Sequence, residues 1–125
     1  MKRELINVGT PPAMPFSHGV KVGDFVFTAG QTGRDPETGK IVPGGIKAET
    51  RQALENLSAI LKAAGSSIDR VVKSTVYLVD MAADYAGMNE VYREFIPKDP
   101  PARATVEVKG LASSALVEIE FIAIL

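Results

Sequence analysis

Arg103 is the residue whose setting most suggests chemistry. It lies in PPARATVEV (100–108), behind Pro100 and Pro101 and at the mouth of a segment that alternates small or apolar with polar residues. A guanidinium stays charged near neutrality, and its planar fork matches a carboxylate bidentately. The two prolines restrict the backbone ahead of it. An arginine framed in this way suits the clamping of a small carboxylate. The competing expectation is a structural ion pair with Glu94, Glu107 or Glu118.

Glu118 is the second candidate. In LVEIEF (116–121), Glu118 and Glu120 share one face of a strand, and Val117, Ile119 and Phe121 share the other. Two such carboxylates are either plain solvent-facing residues or, if that face is covered, partly buried acids. A desolvated glutamate holds its proton more tightly and can act as a general base toward water. His18, in MPFSHGV (14–20), has the intrinsic pKa best suited to proton transfer, against the plainer expectation of an exposed loop histidine. Asn89 lies beside an apolar helical stripe, where a local hydrogen bond is the simpler expectation. Gly30 and Gln31 end a strand in TAGQ (28–31), where a glycine suggests close approach of backbone or ligand. GRDPETGK (33–40) lacks phosphate-loop spacing and reads as turns.

Composition removes many alternatives. The chain has 125 residues, 46% of them hydrophobic and 23% charged, with net charge -1, so one domain with one core is expected and no global field draws nucleic acid or anionic membrane. There is no Cys, which excludes disulfides, thiolate catalysis and cysteine-ligated metals. A single His makes a zinc site or a Ser-His-Asp triad unpromising. No P-loop or Gly-x-Gly-x-x-Gly pattern is present, so chemistry must run on Arg, Glu, backbone groups and water. No apolar run approaches a membrane span, and no apolar stretch follows the two basic residues of MKRELINVGTPP, so a cytoplasmic protein is expected.

The elements that must position these residues follow from periodicity. An edge strand is expected around Leu5 to Val8, then a proline-rich loop (9–15). Val20 and Val22 alternate, Gly23-Asp24 turns, and Phe25 to Ala29 forms a second strand, with Ile41-Val42 isolated between turns. Ala53, Leu54, Leu57, Ile60, Leu61 and Ala64 have helical spacing, with Gly65 placed to cap. RVVKSTVYLVD (70–80) predicts a strand buried on both sides. Tyr85, Met88, Tyr92 and Phe95 form the stripe of a second helix ended by Pro97, although Gly87 weakens it. Ala104 to Val108 and Leu116 to Ile124 are the last strands. The fold class is therefore α+β, a mixed sheet with two helices on one face. The bare sheet face still needs cover, which points to a homo-oligomer.

PARATVEVKGL followed by VEI, spanning Pro101 to Ile119, resembles the signature of the RidA (reactive intermediate deaminase) or YjgF family. GDFVFTAGQTGRDPETGKIV, TRQALENLSAILKAAGSSIDRVVKSTVYLVDM and MNEVYREF fit the same family, so the resemblance spans nearly the whole chain. It implies a chorismate-mutase-like homotrimer with a barrel-like core and ligand clefts between subunits. It also implies hydrolysis of reactive 2-imino and 2-enamino acids to 2-keto acids and ammonia, with no metal or cofactor. Arg103 would bind the substrate carboxylate and Glu118 would hold the attacking water. The expected substrate-binding set is Phe16, His18, Ala29, Gly30, Asn89 and Thr105. Phe16 stands where active members of the main subgroup have Tyr, Ala29 where they have Ser, and Thr105 where they often have Cys. The cleft should therefore be more apolar, with His18 a candidate replacement for a lost polar contact. A non-catalytic trimer binding 2-keto acids, or a pathway-specific enamine or carbamate hydrolase, are the alternatives. Neither nucleic acid nor membrane is an expected partner.

Overall fold

A computed structural model describes residues 1–125. Strands β1 (Arg3–Ile6), β2 (Gly19–Val22), β3 (Phe25–Thr28) and β4 (Gln31–Thr32) precede helix α1 (Ile46–Ala63). Then follow β5 (Val71–Leu78), α2 (Met81–Phe95), β6 (Ala102–Glu107) and β7 (Val117–Ile124). The sheet order is β1-β2-β3-β7-β5-β6, with β4 also paired to β7. Only β5 and β6 run parallel, joined by the α2 crossover. The mixed sheet with two helices expected from the sequence is the observed fold.

Local chemistry explains the boundaries. β2 and β3 form a tight hairpin, Val22 facing Phe25, because Gly23 adopts the positive φ (56°) that the turn requires. α1 ends in a left-handed cap at Gly65, whose N–H donates to the Lys62 carbonyl while Ser66 N–H donates to Leu61. α2 starts at Asp80, whose carboxylate accepts the Ala83 N–H at 3.1 Å. Gly87 lies inside α2 because the helices approach closely there. A Cβ on it would meet Ile46 Cγ2 of α1 at 2.9 Å.

One face of the sheet builds the core. Val26, Val76, Leu78, Val117, Ile119 and Phe121 are buried against Leu54, Leu57, Ile60 and Leu61 of α1 and Met88, Val91 and Tyr92 of α2. One sequence expectation needs correction. β5 is not buried on both sides: Ser74, Val76 and Leu78 point into the core, whereas Thr75 and Tyr77 are only half-buried on the other face. Ile41, between the turns, makes a single isolated bridge with Arg34. The other sheet face is open in the chain. Register places Leu5, Val20, Phe27 and Ile122 in one row across it and Phe25 beside Ile124 in the next. Leu5, Phe25, Phe27, Val106 and Ile124 are exposed there. No helix is long and apolar enough to cross a membrane.

Candidate functional site

β6 pairs along one side only, with β5, and carries Arg103 toward the helical layer. Arg103 lies opposite Ser74, and Ser74 opposite Phe121, both buried on the core side. The guanidinium carbon sits 4.8 Å from the centre of the Tyr92 ring and 5.9 Å from that of Tyr85. Such stacking on aromatic faces fixes a planar cation in orientation. Arg103 Nη2 donates to the Tyr85 hydroxyl at 3.4 Å. These groups line a cavity of about 310 Å³ with Asn89, Arg93, Ile96, Pro97 and Pro100.

No carboxylate pairs with Arg103. Glu94 is bound to Arg51 at 2.8 Å, and Glu107 accepts the Met81 N–H at 3.0 Å. Glu118 lies in register with Tyr77 and Val106, on the other side of the sheet. The ion-pair alternative for Arg103 is thus absent from the chain, and an unpaired guanidinium lines a cavity with no acidic residue in its wall.

Glu118 belongs to a second cavity of about 610 Å³, whose walls include Met14, Phe16, His18, Gly30, Asn56 and Ile60. Gly30 is needed here by contact. A Cβ on it would lie 2.7 Å from Glu118 Cδ, so the missing side chain makes room for the carboxyl group. Burial pushes the Glu118 carboxyl above its ordinary range, and the nearby Glu120 charge adds to the shift. Glu120 in turn accepts a short hydrogen bond from the Tyr77 hydroxyl, which raises the Tyr77 phenol. Glu118 has no ion-pair partner and is half-buried within the single chain, so it is a desolvated base facing a cavity.

His18 is held in place rather than free. Its Nδ1 accepts the Val8 N–H at 3.0 Å, and its own N–H donates to Asn7 Oδ1 at 2.9 Å. Burial lowers its pKa, so the neutral ring with its proton on Nε2 is the favoured form. Ala29 donates its N–H to the His18 carbonyl at 2.9 Å, tying the proline-rich loop to the end of β3. Thr105 lies two residues beyond Arg103 on the same side of β6, opposite Val76.

The structure thus groups Arg103 with Asn89, and Glu118 with Phe16, His18 and Gly30, in two separate cavities. Ala29 and Thr105 lie beside these groups without lining either cavity. Tyr85 and Tyr92 were not legible as site residues, because their spacing reads as the apolar stripe of α2. The structure buries Tyr92 but leaves Tyr85 exposed. The available signal was Asn89, a polar residue four after Tyr85 and three before Tyr92, which places all three on one helical face.

Fold and site together define a small α+β protein with one cavity lined by an unpaired arginine and a second lined by a desolvated glutamate. The chain belongs to the RidA/YjgF family: the family model described as Endoribonuclease L-PSP matches residues 8–125. It is 52% identical over 124 residues to a RutC family protein of Pyrococcus horikoshii, covering 98% of both chains. It is 44% identical over 124 residues to the 2-iminobutanoate/2-iminopropanoate deaminase of Mus musculus, covering 98% of this chain and 91% of that protein. The crystal structure of RidA from an Antarctic Psychrobacter superposes with a TM-score of 0.91 at 41% identity, covering 98% of this chain and 99% of the other.

Proposed function

We propose that the protein hydrolyses reactive 2-imino and 2-enamino acids to 2-keto acids and ammonia. The observation that carries this reading is Arg103, an aromatic-stacked guanidinium in a cavity without any acid to neutralise it. Its fork receives the substrate carboxylate, which is the group common to this substrate class. The deaminase name of the mouse relative supports the same chemistry. Net charge -1 and a cavity of about 310 Å³ suit a small acid better than a polynucleotide.

Within one chain Arg103 and Glu118 face different cavities, so a single copy cannot present both to one small substrate. The reading therefore requires a homo-oligomer, a trimer in this family's manner, in which the Arg103 cavity of one copy abuts the Glu118 cavity of the next. The apolar open sheet face supplies the surface for that association.

The reaction then needs little beyond positioning. The imine enters protonated, with its carboxylate on Arg103. Glu118 accepts a proton from a water as the water oxygen bonds to C2, and the C=N π pair moves to nitrogen. The carbinolamine nitrogen takes up a proton, the C–N bond breaks and ammonia leaves. The hydroxyl proton departs as the keto group forms. Iminium and water thus become keto acid and ammonium. Orientation and one placed base suffice because the iminium is already electrophilic.

The test is competition for a nascent imine. An amino-acid oxidase generates 2-imino acids of graded size, semicarbazide traps them, and the protein is added. The expected result is a drop in trapped imine that Arg103→Ala abolishes. No drop with any imine, together with retained 2-keto acid binding, would replace this reading with a non-catalytic ligand-binding trimer.

A further inference from the structure

We propose that Tyr85 is a second donor to the ligand carboxylate, acting beside Arg103. This rests on the reading of Arg103 as the carboxylate site. Two tyrosines stack on the guanidinium, but only one can reach a ligand. Tyr92 is buried and its hydroxyl meets no partner, so it serves as the platform under Arg103. Tyr85 is 43% exposed, lines the cavity, and holds its hydroxyl 3.4 Å from Arg103 Nη2.

The proton count fixes the direction of that contact. A guanidinium has donors only, so the Tyr85 oxygen accepts from Arg103 and that contact does not consume the phenol proton, while Asn89 lies close enough to hydrogen-bond the same hydroxyl. The remaining Arg103 N–H groups and the Tyr85 O–H therefore converge on one cavity. An anion seated on the fork meets the phenol proton as a further donor. Asn89, one helical turn along α2, borders the same space. The arrangement fits a planar, singly charged carboxylate flanked by a second acceptor, as in a 2-keto or 2-imino acid.

The test is binding of 2-oxobutanoate, followed by calorimetry, to the wild-type protein, Tyr85→Phe and Arg103→Ala, with 2-oxobutanamide as the uncharged control. Removing one hydrogen bond to a charged group should raise the Kd of Tyr85→Phe for the acid about tenfold. The amide, already weak, should not distinguish Tyr85→Phe from wild type. In turnover, Tyr85→Phe should raise KM with kcat nearly unchanged, because the carboxylate is held equally in ground and transition states. Equal acid binding by Tyr85→Phe and wild type, while Arg103→Ala still loses it, would overturn the inference and leave the Arg103 reading standing. Unimpaired binding by Arg103→Ala would overturn both.

Discussion

Arg103 and Glu118 project from opposite sides of one sheet. Arg103 is in register with Ser74 and Phe121 on the helical side, and Glu118 with Tyr77 and Val106 on the open side. The strand period of two makes this unavoidable, because no rotamer carries a side chain through the sheet. Both groups have what a site requires: the guanidinium is unpaired, and the carboxyl is desolvated with no cation beside it. Their separation is the strongest structural reason to place the working site between two copies.

Glu118→Gln should separate activity from stability. Burial and Glu120 raise the Glu118 pKa in the folded chain, so its favourable contribution belongs to the protonated form. That contribution is complete below the ordinary carboxylate range and is lost as pH rises through the elevated folded value. At pH 7.5 the ionised group costs stability, and the variant should melt roughly 2–4 °C above wild type, the gap closing near pH 4. Its kcat should fall about 100-fold. In the wild type, the acid limb of the kcat/KM profile should lie above the ordinary glutamate range.

Gly30→Ala should displace the Glu118 carboxyl without unfolding the chain. The added Cβ collides with the far end of a side chain that can swing away. Stability should change by less than about 0.5 kcal/mol, while kcat drops at least about tenfold because the base is misplaced. Thermal melting alongside the semicarbazide assay checks both.

Gly87→Ala should reverse its effect with its neighbour. Alanine is favoured over glycine inside a helix by about 1 kcal/mol. Here, however, the new Cβ meets Ile46 Cγ2 at 2.9 Å, and overpacking costs about 1–3 kcal/mol. The substitution should lower the melting temperature in the wild type and raise it in an Ile46→Ala background. A double-mutant cycle by urea denaturation measures the coupling.

Phe27→Glu should abolish association and activity together. Phe27 is exposed in the single chain, in a row with Leu5, Val20 and Ile122. Sedimentation equilibrium should give three times the 13.3 kDa chain mass for the wild type and one chain for the variant. A folded, monomeric and active Phe27→Glu would show that one chain is enough.

Much of this fold was legible from local chemistry. The apolar spacing of α1, its Gly65 cap, the β2–β3 turn and the β7 alternation all follow from short-range rules. β5 misled because VVKSTVYL is rich in β-branched residues throughout, so both faces of the strand resemble a core in composition. Gly87 argued against α2 for a similar reason, since its value lies in a contact with Ile46 that no local pattern encodes. In the site, Arg103 and Glu118 stood out by residue type and setting. Their placement in different cavities, the stacking by Tyr85 and Tyr92, and the fixed neutral His18 depend on register and tertiary contacts. Those required the structure.

The most direct measurement of the central claim is complementation. Arg103→Ala and Glu118→Gln are each expected to be inactive, and would be co-expressed with different tags and purified as mixed oligomers. If each site takes Arg103 from one copy and Glu118 from the next, every mixed trimer has one intact interface of its three, so the doubly tagged fraction should recover about a third of wild-type turnover. Mixed oligomers as inactive as either variant alone would contradict a site shared between copies.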